Sequence, residues 1–160
     1  GVSIHHAGWM VAAFEISGIV GMLVAGWATD RLFGGRGPRV CVICMALATV
    51  FVALFWGISQ PPMWLATLLL GAAGFCIYGP QALVGIAAAN IATKKAAATA
   101  VGFTGLFGYA STLVSGWGLG LLAQHYGWNI AVGALILIAI MGTLIFMAAW
   151  SAKANGYDND

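Results

Sequence analysis

The chain has 160 residues, of which 62% are apolar and 6% charged, whereas an average soluble domain carries about 25% charged residues, so a water-facing surface cannot be built from this inventory. Six Lys and Arg stand against four Asp and Glu, a formal net charge of +2, and the basic stripe that nucleic-acid binding needs is absent, which excludes nucleic acid as a partner. The expected solvent is the lipid bilayer.

A hydrocarbon core about 30 Å thick is crossed by about 20 helical residues. The first block that meets this length is 7–28, AGWMVAAFEISGIVGMLVAGWA. It lacks a basic leading region and ends in ATDR, so it reads as a span and not as a cleavable signal sequence. Glu15 is the only acid or base placed inside a span. An acid at a helix centre costs about 2.5–3.5 kcal/mol on insertion scales, so its side chain needs a partner. No Lys or Arg of the five spans lies at its depth, which leaves an ion pair with a residue outside the chain, a proton-binding carboxyl, or a hydrogen-bonded structural acid.

The turn after this span, GWATDRLFGGRGPR at 26–39, is the most specific local signal. Asp30 and Arg31 end one helix, Gly34, Gly35 and Gly37 permit a tight reversal, and Arg36 and Arg39 precede the next span. An acid in such a turn can hold an Arg and the positive N-terminus of a neighbouring helix, a latch that breaks when helices reorient. The plainer alternative is a solvated basic turn.

The second span, 40–58, contains the pair Cys41 and Cys44. With no second cysteine pair or nearby His to complete a zinc site, these are helix-packing residues, and no metal site is expected. The third span, 63–90, carries Gly71, Gly74, Gly79 and Gly85, and Pro80 within it removes one backbone hydrogen bond near Cys76. Gly79-Pro80-Gln81 is therefore an expected kink with a polar side chain attached, of the kind that lines cavities at membrane depth.

Lys94 and Lys95 precede the fourth span, 96–123, which has no charge and places Gly102, Gly105 and Gly108 at three-residue spacing, continued by Thr112 and Ser115. Small residues let helix backbones approach in lipid, so this flank is expected to pack closely against, or slide past, a neighbour. The fifth span is 129–150, and the polar segment 151–160 forms a tail.

Uninterrupted apolar runs without alternation exclude a transmembrane barrel, leaving an all-α membrane protein of five transmembrane helices. All six basic residues, Arg31, Arg36, Arg39, Lys94, Lys95 and Lys153, fall in alternate connections or the tail. The positive-inside rule makes that face cytoplasmic, with the N-terminus outside and the C-terminus inside. Trp9, Trp56, Trp64 and Trp128 at outer ends and Trp27 and Trp150 at inner ends agree with interfacial placement. A chain beginning with Gly close to a span is expected to be part of something longer.

FEISGIVGMLVAGWATDR, GFCIYGPQALVGIAAANIATKKAAATA and GFTGLFGY, in this order and at these separations, resemble the eighth, tenth and eleventh helices of the organophosphate:phosphate antiporters of the major facilitator superfamily. The resemblance covers about residues 7–150 and is weakest in the second and fifth spans. It implies five of the six helices of a C-terminal half, in a bacterial inner membrane, with the N-terminal half as partner. It implies alternating-access exchange of an organophosphate ester for inorganic phosphate, or the role of a transporter-like sensor, with no enzymatic activity and no cofactor.

The principal phosphate ligands of that family lie on helices this chain does not contain. By the same resemblance Glu15 matches an acid in a salt-bridge network with a lysine outside the chain. Tyr78 and Tyr109 match tyrosines of the central cavity, where Gln81 is also expected, and Asp30, Arg31 and Arg36 match a gating loop. Hexose-phosphate members carry an Asp and a Lys where Val101 and Thr104 stand, which favours a small ester such as glycerol-3-phosphate.

Overall fold

The computed structural model describes residues 4–58, 60–92 and 95–151. Lys94, Lys153 and most of the tail lie outside the described residues. Regular structure within them is helical throughout: α1 (Ile4–Arg31), α2 (Gly37–Gly57), α3 (Met63–Ile91), α4 (Ala97–Tyr126) and α5 (Trp128–Ala148). Each is long and apolar enough to cross a membrane, because a helix satisfies its own backbone where lipid offers no partners.

The helix ends follow local chemistry. α1 continues through Asp30 and Arg31, then reverses at Gly34 (φ 58°) and Gly35 (φ 79°), left-handed conformations that glycine adopts at little cost. The Gly35 N–H donates to the carbonyl of Thr29 over 2.8 Å, closing the turn. α2 starts at Gly37 with Pro38 in its first turn, where a missing N–H costs nothing. α4 extends to Tyr126, so His125 is helical and not the loop residue its polar neighbours suggest. The reversal into α5 needs only Gly127, at φ 85°. α3 remains one helix through Pro80.

α3 is the central element and packs against α1, α2 and α4. α5 touches α2 and α4, so α2, α3, α4 and α5 close a ring, with α1 outside it against α3. At one end, Ala25, Val40, Cys41 and Leu83 form a buried cluster, with Phe33, Cys44 and Phe146 packed on it. Cys41 and Cys44 belong to this packing, Cys76 is buried elsewhere on α3, and all three are free thiols. The Arg39 guanidinium lies 5.2 Å from the Trp150 ring, which brings the α1–α2 turn and the end of α5 to the same end of the bundle.

Glycine determines how near the helices come. Gly21 faces the Phe75 carbonyl so closely that no Cβ would fit, and a Cβ on Gly74 would stand 2.5 Å from the Phe14 carbonyl oxygen. Gly79 meets α1 and α2 together, with the Ala25 methyl 2.9 Å from its virtual Cβ and the Cys44 Sγ at 3.4 Å. The expectation for α4 is corrected here: Gly102, Gly105 and Gly108 have nothing within 4 Å of a virtual Cβ, and none of the α4 residues is buried. Glycine spacing reports that a flank can approach another helix closely; which flank does so depends on the neighbours available.

A methyl group at position 21 must therefore push α1 from α3. Gly21→Ala is expected to destabilise by about 1–3 kcal/mol, the cost of overpacking. Gly26→Ala, with open space around it, should stay within about 0.5 kcal/mol. Unfolding in detergent compares the two, and equal shifts would remove the α1–α3 seam as the tight contact.

Candidate functional site

The α1–α3 seam organises the first cluster. Gly18 lies under the Tyr78 ring, whose nearest atom would be 2.6 Å from a Cβ at that position. Phe14 meets the same ring edge-on, with centroids 6.0 Å apart and planes at 73°. Held between them, the Tyr78 hydroxyl donates a hydrogen bond to the Glu15 carboxylate. The acid of the first span thus has a partner inside the chain, on α3. This realises the hydrogen-bonded alternative, and an ion pair to a residue beyond the chain would use the remaining carboxylate lone pairs.

A second group is distinct from the first. Inside the ring of α2–α5 lies a cavity of about 590 Å³, bounded by Met45 of α2, Phe146 of α5 and the facing flanks of α3 and α4. Pro80 and Gln81 line it from α3, and Val101, Thr104 and Tyr109 from α4. Its size is that of a small-molecule site, about 300–1,000 Å³. Tyr109 and Gln81 therefore line one cavity, while Tyr78 is not among its lining residues and turns to Glu15. The neighbours explain the split: Tyr78 and Gln81 are three residues apart and near one another on α3, which is covered by α1 on one flank and opens to α4 on the other.

Ser111 and Thr112 also line the cavity, and sequence reading gave only Thr112 a place, on a packing flank. The available signal was helical spacing: Ser111 stands seven residues, about two turns, after Thr104, and Thr112 three residues after Tyr109, which puts each near a residue of the same flank. Thr104 Oγ1 donates to the Val101 carbonyl over 2.9 Å. Ser111 Oγ and Thr112 Oγ1 both donate to the Gly108 carbonyl, at 2.7 and 3.0 Å.

The gating-loop residues remain apart from both clusters. Asp30 and Arg31 are exposed at the end of α1, and Arg36 is half-buried at the N-cap of α2. Arg39, outside the expected set, stacks on Trp150 while its buried Nε has no hydrogen-bond partner among the described residues. No cluster of metal-ligating side chains occurs among the described residues.

If Tyr78 and Glu15 act as a pair, their replacements are not additive. A double-mutant cycle with Tyr78→Phe and Glu15→Gln is expected to give a coupling of about 1 kcal/mol in unfolding free energy. Strictly additive effects would remove the hydrogen bond as a structural link between α1 and α3.

Comparison with known proteins fits this architecture. The chain is 39% identical to a probable hexose phosphate transport protein of Chlamydia pneumoniae over 91% of its own length and 32% of that protein. It is 34% identical to the glycerol-3-phosphate transporter of Haemophilus influenzae, over 91% of this chain and 35% of that protein. It is 33% identical to the membrane sensor protein UhpC of Salmonella typhimurium, over 96% of this chain and 35% of that protein. The chain spans about a third of the length of these curated relatives. A profile of the Major Facilitator Superfamily matches residues 1–156. With five membrane-length helices and a profile match over nearly its whole length, this multi-pass membrane chain belongs to the Major Facilitator Superfamily.

Proposed function

We propose that this chain is part of a secondary transporter that exchanges a small organophosphate ester, of the size of glycerol-3-phosphate, for inorganic phosphate by alternating access. The observation that carries the reading is the cavity between α3 and α4, to which Tyr109 and Gln81 contribute polar groups. A phenol and an amide can hydrogen-bond an ester in either protonation state of its phosphate. Charge neutralisation is assigned to basic residues of the rest of the transporter, because no charged side chain lines this cavity among the described residues.

In this reading the transporter lies in a bacterial inner membrane with the arginine-bearing end cytoplasmic. Asp30, Arg31 and Arg36 form a loop that exchanges ionic partners as the halves rock. Glu15, already held by Tyr78, takes a cation from the N-terminal half. Accumulation of radiolabelled organophosphate by phosphate-loaded vesicles containing the complete protein tests the exchange. Binding without accumulation would instead support the sensor reading, which the similarity to UhpC favours.

Ester size rests on Val101 and Thr104, which face the cavity. The higher identity to a hexose phosphate transport protein favours the larger ester, and the two uncharged side chains favour the smaller. The combined change Val101→Asp and Thr104→Lys is expected to shift the ratio of kcat/KM for hexose phosphate over glycerol-3-phosphate upward by about tenfold, a difference of about 1.4 kcal/mol. An unchanged ratio would detach these positions from substrate choice.

A further inference from the structure

Tyr78 and Phe14 each rest on a glycine of the opposite helix. The Tyr78 ring lies over Gly18 of α1, and the Phe14 ring lies over Gly74 of α3, where a Cβ would stand 2.9 Å from the nearest ring atom. The two rings then meet edge to face. A side chain with a glycine beneath it and an aromatic edge beside it has few other rotamers open to it. What remains free is rotation of the hydroxyl, and that group donates to Glu15.

The consequence differs for the two partners. Tyr78 is half-buried, lies outside the lining of the α3–α4 cavity, and would have to leave its seat to reach a molecule held there. Glu15 is exposed on α1. A glutamate side chain otherwise samples many rotamers, and a fixed donor on one carboxylate oxygen restricts them while leaving the second oxygen open to another donor. Such pre-set geometry counts most where an ion pair has to be remade in every cycle.

We propose that Tyr78 is a positioning residue for transport: it acts through Glu15, whose carboxylate it aims at the cation of the N-terminal half, and not by binding substrate. The proposal rests on the exchange reading and on the ion pair assigned to Glu15 within it. Gly18 and Phe14 belong to the same device, because they set where the Tyr78 hydroxyl stands. An ion pair made and broken as the halves rock governs turnover, whereas a cavity ligand governs occupancy.

The test uses the complete transporter reconstituted in vesicles, with kcat and KM measured for inorganic phosphate and for a phosphate ester. Tyr78→Phe removes the hydroxyl and keeps the ring on Gly18. It is expected to lower kcat about two- to tenfold for both substrates, the loss of one hydrogen bond, with KM within about twofold of the wild type. Glu15→Asp keeps the charge, withdraws the carboxylate by one methylene, and should reproduce that loss. Adding Tyr78→Phe to Glu15→Asp is then expected to lower kcat by less than about twofold more, because the contact is already gone.

A raised KM at unchanged kcat in Tyr78→Phe would make Tyr78 a substrate ligand and overturn the proposal while leaving the exchange reading intact. No change in either constant would overturn it equally. Losses that multiply in the double variant would do the same, since the two residues would then act independently. Wild-type vesicles that exchange neither substrate would overturn the exchange reading as well.

Discussion

The architecture depends on the backbone-to-backbone approach of α1 and α3. Gly21 against the Phe75 carbonyl and Gly74 against the Phe14 carbonyl leave no room for a side chain at either crossing. Water-driven burial cannot hold two apolar helices together in lipid, so contact dispersion and short-range polar contacts must do so. The reciprocal arrangement, in which each helix offers a glycine to a carbonyl on the other, fixes both register and rotation. Gly18 then falls beneath the Tyr78 ring, and the Tyr78 hydroxyl reaches Glu15. The sole intramembrane acid is consequently oriented by the same seam that joins the helices.

α4 obeys a different rule. It is the longest helix, at 30 residues, yet none of its residues is buried and its glycine flank meets no neighbour. Phe103, Leu106 and Phe107 stand mostly exposed on it, with Phe103 and Phe107 stacked edge to face one turn apart. A helix attached through few contacts can move relative to α3 with less lost packing than α1 could. The cavity lies along that weaker boundary, where a change in the α3–α4 spacing alters its width directly. Pro80, which cannot donate to the carbonyl one turn earlier, lines the same boundary.

Much of this was legible in the chain. Membrane thickness and helix rise set the number of elements, so the five apolar blocks became five helices despite shifts of a few residues at their ends. Tyr109 and Gln81 line one space because α3 and α4 present those flanks to it. Tyr78 turns to Glu15 instead, since its direction depends on α1, and a single helix does not record which flank a distant segment covers. The glycines of α4 have no neighbour among the described residues: spacing encodes a capacity for close approach, whereas actual approach is a property of pairs. The Arg39–Trp150 stack joins residues more than a hundred positions apart, and no local pattern could have signalled it.

Charged groups and hydroxyls are separated along the bundle. Arg31, Arg36 and Arg39 occupy one end, with Arg39 tied to Trp150, while the cavity wall offers only neutral groups. The lining mixes both kinds of partner: Thr104, Ser111 and Thr112 carry oxygens that accept, while the Tyr109 phenol and the Gln81 amide can also donate. A charge placed in that cavity would be desolvated with no counter-ion among the described lining residues, so hydrogen bonding and apolar contact are what this wall contributes.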